Sequence, residues 1–154
     1  MTGRLRSVLV TGGAGFIGSH IVDRLIAEGY AVRVIDDLSS GYLSNMRRHL
    51  GRRRLRFFRG DITNQSLLTK ALDGVDVVFH EAAQVSVQRS ISDPVVTNQT
   101  NSTGTLMVLE ASARSGVDRL IHASSSSVYG EQGNQPIKED SATKSPLSPY
   151  AVSK

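Results

Sequence analysis

The sequence predicts an α/β protein built on one parallel, doubly wound sheet. Two observations support this class: five short apolar runs alternate with helical patterns, and one of those runs, residues 75–80, is almost continuously apolar. Such runs are typical of strands that helices cover on both faces, and the alternation favours parallel pairing. The 154 residues, 39% of them hydrophobic, fit one domain of ordinary size. We therefore expect a single domain over residues 1–154.

The apolar runs predict the strands, and turn residues or polar clusters mark where they end. The first run, Ser7 to Thr11, stops at two glycines, and the third stops at Gly60. The predicted strands are residues 7–11, 31–35, 55–59, 75–80 and 119–123. In doubly wound sheets, ligands bind beyond the carboxyl ends of the strands. The candidate site residues at those ends lie within residues 12–18, Asp36, Asp61, 80–84 and 124–127.

Periodicity and capping residues predict the helices. Ile17, Ile21 and Leu25 recur at helical spacing, so a helix is expected over residues 16–28. Acid-proline and serine-proline pairs are typical of a cap followed by a first helical position. We expect a short basic helix after Ser44, a helix capped by Thr63 and ending near Leu72, a long helix from Asp93-Pro94 to Gly116, and a helix start at Ser148-Pro149.

The charge is concentrated in one segment. The 18 Lys and Arg outnumber the 14 Asp and Glu, for a net charge of +4. Seven arginines and no acid lie between Met46 and Gly60; without them, 11 basic residues face 14 acidic ones, a balance of −3. One basic segment on a mildly acidic body is typical of a solvated face, so we expect no nucleic-acid partner.

Composition excludes several other classes. Without cysteine there is no disulfide scaffold, cysteine zinc site or cysteine nucleophile, and we expect no metal site. No run approaches ~18 apolar residues, so we expect no membrane partner. Arg4 and Arg6 precede an apolar run that Gly12 soon breaks, which does not fit a signal peptide. The interpretation is a cytoplasmic protein.

A glycine motif follows the first predicted strand with the spacing G-x-x-G-x-x-G, at Gly12, Gly15 and Gly18. Glycines allow a tight turn and the close approach of a pyrophosphate, and the helix that follows offers free N–H groups. Asp36 ends the second strand, where a carboxylate can accept hydrogen bonds from ribose hydroxyls and repel a 2′-phosphate. Arg33 lies within a strand and does not favour the phosphate. The motif predicts NAD rather than NADP.

Other strand ends carry weaker signals. Asp61 fits either a contact with the adenine amino group or a cap for the next helix, and both readings stay open. Ala82 and Ala83 are small enough for backbone to approach a cofactor, although ordinary tight packing also explains them. We expect His80 to be a hydrogen-bonded histidine at a strand end rather than a catalyst.

A second cluster of chemical groups lies near the end of the chain. Tyr150 and Lys154 are spaced i, i+4 on the last predicted helix and so share a face. A tyrosine is a poor base at neutral pH, but a neighbouring ammonium favours its phenolate. Ser125 follows the fifth strand and can hydrogen-bond the same substrate hydroxyl. Together they predict the removal of a hydroxyl proton.

These motifs resemble those of the extended short-chain dehydrogenase/reductases, and within them the NAD-dependent nucleotide-sugar epimerase/dehydratase group. The matching stretches cover essentially the whole chain: residues 10–20, 36–41, 60–62, 80–84, 101–105, 124–130 and 148–154. The resemblance implies a Rossmann-like sheet, NAD as cofactor, a nucleotide sugar such as a UDP-sugar as substrate, and a homodimer for the full-length form.

The resemblance also implies roles for individual positions. The pyrophosphate turn corresponds to Gly12, Gly15, Phe16, Ile17 and Gly18. The ribose acid is Asp36, and the adenine pocket is formed by Asp61 and Ile62. Further cofactor contacts are Ala82, Ala83 and Gln84 after the fourth strand, and Thr100 on the long helix. The catalytic triad is Ser125, Tyr150 and Lys154, of which the last two also contact the cofactor.

The reaction within the family is suggested by Ser126 and Ser127. Dehydratases and decarboxylase-like relatives commonly carry an acid in this segment, because eliminating water needs a general acid and a base. Hydroxyls cannot supply a carboxyl group, so 4-epimerisation is favoured, with Tyr150 taking the C4 hydroxyl proton. A dehydratase or decarboxylase of the same family, and a non-catalytic NAD-binding module, remain as alternatives.

Family members continue beyond Lys154 with a substrate-binding lobe. About seven residues from Ser148 remain for the last helix, whereas isolated helices need ~12–15 residues. We therefore expect Tyr150 and Lys154 to be poorly held and this chain to be inactive alone. Without the lobe, apolar surface on the long helix from Asp93 would be uncovered, so we also expect association or poor solubility.

Overall fold

The computed structural model describes residues 6–133, 136–143 and 145–154. Their central feature is a five-stranded parallel sheet in the order β3-β2-β1-β4-β5. The strands are β1 (Ser7–Thr11), β2 (Ala31–Asp36), β3 (Leu55–Arg59), β4 (Val77–His80) and β5 (Arg119–His122). The predicted Rossmann-like, doubly wound sheet is confirmed, and the strand order reverses between β1 and β4.

The fourth strand begins two residues later than predicted. The N–H of Val75 donates to the carbonyl of Leu72 at 3.0 Å, which completes the turn out of the preceding helix. Asp76 then binds the backbone of Ser7 twice: its N–H donates to the Ser7 carbonyl, and its side chain accepts from the Ser7 N–H at 2.8 Å. Val75 is apolar because it is buried in the core, not because it belongs to the strand.

The helices are α1 (Phe16–Ala27), α2 (Gln65–Leu72), α3 (Val87–Ser92), α4 (Pro94–Asn98), α5 (Gly104–Arg114) and α6 (Pro149–Ser153). A π-helical turn, Gln99–Thr103, joins α4 to α5, and 3-10 turns occupy Leu43–Met46 and Ser126–Tyr129. The caps predicted at Asp93 and Ser148 are confirmed, because each side chain accepts a backbone N–H of the first turn.

Three helix predictions are corrected by the structure. Asn64, not Thr63, caps α2, because its side chain accepts the N–H of Leu67 at 3.0 Å. In place of the short basic helix after Ser44 there is a single 3-10 turn, Leu43–Met46, which contains no basic residue, and the long helix contains the π turn. The unpredicted α3 begins at Ser86, whose Oγ accepts the N–H of Arg89 at 3.1 Å.

The core consists of two apolar layers, one on each face of the sheet. Alternate residues of β1 point to opposite layers: Val8 and Val10 join the α1 side, and Leu9 joins the side of α2 and α5. All five residues of β1 are buried, which explains why its three central residues are all apolar. On α5, Leu106 and Leu109 are exposed; the association expected for this helix stays a prediction.

The chain forms two compact units. The first comprises the chain up to Ala82 together with Thr105–Ala123, and so contains the sheet, α1, α2 and nearly all of α5. The second comprises Ala83–Gly104 and Ser124–Lys154, with α3, α4, the π turn and α6. In the part of the chain that the structure describes, every helix is too short or too polar to cross a bilayer.

Candidate functional site

The predicted site residues divide between the two compact units. The first unit holds Gly12, Gly15, Phe16, Ile17, Gly18, Asp36, Asp61, Ile62 and Ala82. The second unit holds Ala83, Gln84, Thr100, Ser125, Tyr150 and Lys154. Each set is described within its own unit.

The glycine turn after β1 is packed backbone against backbone. Gly12 has φ +68°, and a Cβ built on it would lie 2.7 Å from the backbone nitrogen of Ala82. A Cβ on Gly18 would lie 2.2 Å from the carbonyl oxygen of Gly12. No side chain fits at either position, so glycine is required by close approach at both and by backbone conformation at Gly12.

The start of α1 offers unpaired backbone donors. Gly15 is the N-cap residue, and no side chain caps the helix. The first N–H groups of a helix have no intrahelical acceptor, which leaves those of Phe16, Ile17 and Gly18 to face a ligand at the positive end of the helix dipole. The Phe16 and Ile17 side chains are exposed, so these residues would contact a phosphate through backbone. This geometry fits the pyrophosphate of a dinucleotide.

Asp36 is buried at the end of β2 and binds two backbone amides. Its Oδ2 accepts from the N–H of Ala14 at 2.9 Å, and its Oδ1 accepts from the N–H of Leu38 at 2.8 Å. Leu38 lies in the left-handed region, with φ +65°, a strained conformation typical of functional sites. Each carboxylate oxygen retains a second lone pair, so ribose hydroxyls can still be accepted.

The loop after β2 donates hydrogen bonds to the glycine turn. These contacts were not predicted from the sequence. The carbonyl of Ala14 accepts from the N–H of Tyr42 at 3.0 Å and from Nδ2 of Asn45 at 2.8 Å. Met46, fully buried, packs in the same core cluster as Ala14. The sequence shows that Asn45 can donate hydrogen bonds from its side chain. It does not show that the acceptor is the backbone carbonyl of Ala14, because no sequence pattern identifies a backbone partner.

The two residues assigned to adenine differ in what they can offer. Oδ1 of the exposed Asp61 accepts from the N–H of Thr63 at 2.7 Å and from its hydroxyl at 2.8 Å, so Asp61 shapes the turn and does not cap α2. The Ile62 side chain is buried in the core beside Leu68, which leaves only its backbone for a ligand.

His80 is fully buried and hydrogen-bonded at both ring nitrogens. Nδ1 lies 2.7 Å from the hydroxyl of Thr11, and Nε2 lies 2.8 Å from the hydroxyl of Thr105. The Thr11 hydroxyl also accepts the N–H of Ala82 at 3.2 Å. The expectation of a hydrogen-bonded histidine at a strand end is confirmed.

Arg33 is engaged by the fold and not by the glycine turn. Its guanidinium donates to the carbonyl of Ala71 at 2.9 Å, at the C-terminal end of α2, where a cation is favoured by the helix dipole. Burial lowers the pKa of Arg33; Asp73 opposes that shift and Arg56 adds to it. The Arg33 guanidinium therefore binds α2 and is not placed to bind a 2′-phosphate at the glycine turn.

In the second unit, α6 carries the predicted tyrosine. Oγ of Ser148 accepts the N–H of Ala151 at 3.1 Å, which fixes the first turn. The Tyr150 side chain is buried, and Lys154 follows the helix directly. The helix has only five residues but packs against α3 and α4. That Tyr150 and Lys154 are poorly held in solution stays a prediction.

Asn101 in the π turn links two predicted segments, although it was not among the predicted site residues. Its Oδ1 accepts the N–H of Gln84 at 2.8 Å, and its Nδ2 donates to the carbonyl of Gln84 at 3.0 Å and to Oγ of Ser153 at 2.9 Å. A buried amide in an otherwise amphipathic helix is the signal that could have identified it. Thr100 lies beside it in the π turn, an element frequent at functional sites.

The remaining predicted residues lie in loops. Ser125 caps the 3-10 turn, where its Oγ accepts the N–H of Ser127 at 3.2 Å; an accepting hydroxyl can still donate its own hydrogen. The Gln84 side chain donates to the hydroxyl of Thr97 at 3.2 Å and accepts the N–H of Ser86 at 2.6 Å, so it is largely occupied within the unit. Ala83 is partly exposed in the same loop.

Metal-ligating side chains do not cluster in the described ranges: no group of three His, Asp or Glu residues there could hold an ion.

Comparison with known proteins relates this geometry to a family. Residues 8–154 match the model of the NAD dependent epimerase/dehydratase family. The UDP-glucose 4-epimerase of Mycolicibacterium smegmatis is 43% identical over 148 residues, which are 95% of this chain and 47% of that protein. The chain spans about half the length of the curated relatives it matches.

Solved structures show the same fold and the same partial coverage. The UDP-N-acetylglucosamine 4-epimerase of Methanobrevibacter ruminantium, solved with UDP-N-acetylmuramic acid, superposes with a TM-score of 0.90 at 41% identity, over 97% of this chain and 47% of that one. The dTDP-glucose 4,6-dehydratase DesIV of Streptomyces venezuelae, solved with NAD bound, also gives 0.90, at 42% identity over 96% and 48% of the two chains.

Proposed function

The chain belongs to the NAD-dependent epimerase/dehydratase family, and on that premise we propose that its protein is a nucleotide-sugar 4-epimerase acting on a UDP-sugar. The observation that carries the proposal is the segment 124–130, whose side chains include hydroxyls but no carboxylate. A 4-epimerase needs one group to take and return one hydroxyl proton, whereas a dehydratase also needs an acid and a base for the loss of water.

NAD is the cofactor of this family, and the first unit fits it. The glycine turn and the uncapped start of α1 would hold the pyrophosphate, and Asp36 would accept the adenosine ribose hydroxyls. Bound NAD would supply the acceptor for a hydride from the sugar and the source for its return. NAD carries an uncharged 2′-hydroxyl on the adenosine ribose, where NADP carries a negatively charged 2′-phosphate. The buried carboxylate of Asp36 therefore favours NAD.

The residues proposed to remove and return the hydroxyl proton belong to the second unit. The Oη of Tyr150 would remove the proton of the sugar C4 hydroxyl as the C4 hydrogen leaves, and would return it when the keto group is reduced on the opposite face. The Lys154 ammonium would stabilise the phenolate, and the Ser125 hydroxyl would hydrogen-bond the same sugar oxygen.

A 4,6-dehydratase is the second candidate, and DesIV supports it by its structural similarity to this chain. Isotope labelling separates the two reactions. The complete protein is incubated with UDP-glucose, UDP-N-acetylglucosamine and dTDP-glucose in D₂O, and the products are read by NMR. A 4-epimerase gives the C4 epimer without deuterium on carbon; a dehydratase gives a 4-keto-6-deoxy sugar with solvent deuterium.

A non-catalytic NAD-binding module gives a third outcome in the same experiment. It would bind NAD yet leave all three nucleotide sugars unchanged. The epimerase proposal is contradicted by that result, or by the keto-deoxy product.

A further inference from the structure

A buried chain of hydrogen bonds crosses the sheet where its strand order reverses. It runs from the N–H of Ala82 to the Thr11 hydroxyl, from there to Nδ1 of His80, and from Nε2 to the hydroxyl of Thr105. We propose that His80 is a positioning residue: through Thr11 it sets the Ala82 backbone against the glycine turn and so shapes the nicotinamide side of the NAD site. This inference rests on the proposed NAD binding.

The proposed role fits one direction of donation along this chain. The Thr11 oxygen accepts the Ala82 N–H, and the Thr11 hydroxyl would donate its single hydrogen to Nδ1 of His80. The imidazole would then be neutral and carry its hydrogen on Nε2, which would donate to Thr105. The ring of His122 stacks on His80 with centroids 5.1 Å apart, and two charged rings so close would repel each other.

The position of Ala82 matters because the loop after β4 touches the glycine turn backbone against backbone. A Cβ on Gly12 would lie 2.7 Å from the Ala82 nitrogen and 2.9 Å from its Cα, so there is no room for a side chain between the two loops. The Thr11 hydroxyl, one residue before Gly12, holds the Ala82 nitrogen instead. Loss of that bond leaves the Ala82 loop free to shift relative to the turn.

The strand order determines which half of the cofactor would be affected by a movement of the Ala82 loop. A dinucleotide lies across the reversal, with one half over each side of the sheet. Asp36, on the β2 side, is the residue proposed for the adenosine ribose, so the nicotinamide half would lie toward β4 and Ala82. Binding of AMP should therefore be independent of His80, whereas binding of NAD should depend on it.

Two substitutions of His80 separate its two hydrogen bonds, the one to Thr11 (the Thr11 arm) and the one to Thr105 (the Thr105 arm). In His80→Asn the amide oxygen replaces Nδ1 and can still accept from Thr11. In His80→Gln the amide nitrogen replaces Nε2, which preserves the Thr105 arm and loses the Thr11 arm. Both variants remove the same buried ring, so a merely structural role predicts parallel effects. Thr11→Ser, which keeps the hydroxyl, and Thr11→Val, which loses it, form an independent pair.

Calorimetric titration with NAD and with AMP, alongside the melting temperature of each variant, tests the proposal. We expect His80→Gln and Thr11→Val to raise the Kd for NAD about tenfold. His80→Asn and Thr11→Ser should stay within about twofold of the wild type, and the Kd for AMP should be unchanged in all four. The proposal is overturned if the NAD affinities follow the melting temperatures, or if AMP and NAD weaken together.

Failure of the NAD site itself has a different signature. If the wild-type protein binds no NAD, the proposed cofactor site falls and this inference falls with it; if it binds NAD and the paired variants do not differ, only the inference falls. Nitrogen-15 NMR of wild-type His80 needs no variant to fold. A protonated Nε2 and a bare Nδ1 are expected, and the opposite tautomer would overturn the proposed direction of the chain.

Discussion

Asn101 pairs with the backbone of Gln84 as one strand residue pairs with its neighbour, accepting its N–H at 2.8 Å and donating to its carbonyl at 3.0 Å. The same Nδ2 donates to Oγ of Ser153, which in turn donates to the carbonyl of Tyr150 at 2.8 Å. One buried amide therefore connects the loop that follows Ala83 to the helix that carries the candidate base.

We predict that Asn101→Asp destabilises the protein by about 2–4 kcal/mol at neutral pH. The carboxylate keeps the shape of the side chain but loses both donated hydrogen bonds and buries a charge. Denaturant unfolding measures the change. Asn98→Asp, the same substitution at an exposed position one turn earlier, is the control and should cost less than about 0.5 kcal/mol. Equal losses would contradict the role assigned to Asn101.

Glycine substitutions in the turn should differ sharply. Gly18→Ala places a Cβ 2.2 Å from the Gly12 carbonyl oxygen, so we expect a loss of about 3 kcal/mol or more in unfolding free energy. A Cβ on Gly15 meets only that same oxygen, at 3.2 Å, and its φ of −73° suits any residue. Gly15→Ala should therefore cost about 1 kcal/mol or less. The reverse order would show that the turn is not packed as described.

Asp36→Asn should affect both stability and cofactor choice. An amide has one acceptor oxygen where the carboxylate has two, so the N–H of Ala14 or Leu38 loses its partner, at about 1–3 kcal/mol. Removing the negative charge should also narrow the preference for NAD over NADP. Thermal unfolding and titration with each cofactor report the two effects separately.

The neighbouring substitution Asp37→Asn is the matched control. Asp37 is exposed, and in its own turn its Oδ1 accepts from the N–H and the hydroxyl of Ser39. Its loss should leave the cofactor preference unchanged; a shift equal to that of Asp36→Asn would point to net charge instead of the buried carboxylate.

Tyr150→Phe tests the proposed base. Loss of the phenol oxygen removes the proton acceptor, and general-base catalysis contributes about 10²–10⁴-fold, so we expect epimerisation by the complete protein to fall by that factor. NAD affinity should change by no more than a few-fold. Tyr30→Phe, which removes a phenol at the amino end of β2 and so away from the carboxyl ends of the strands, is the control and should keep the wild-type turnover. Retained turnover in Tyr150→Phe would exclude the tyrosine as the base.

Much of the fold could be predicted because the relevant signals are local. The bounds of β1 and β3, and the caps at Asp93 and Ser148, follow from apolar runs and capping residues, and the structure confirms them. Gly12 and Gly18 could also be placed, because close approach excludes every other residue type at these two positions.

The missed features depend on partners distant in sequence. The π turn places Asn101 against a residue seventeen positions earlier, and Asn45 supports Ala14 from thirty-one positions away. No periodicity records such pairs. Val75 was assigned to a strand because burial in a core and membership of a strand give the same apolar signal.

The account depends most on NAD bound at the glycine turn and oriented by Asp36. Calorimetric titration of the folded wild-type protein with NAD and with NADP, repeated on Asp36→Asn, tests it directly. We predict one NAD site per chain, binding of NADP at least about tenfold weaker, and a clear loss of that discrimination in the variant. The absence of NAD binding, or equal affinity for the two cofactors in the wild-type protein, would contradict the account.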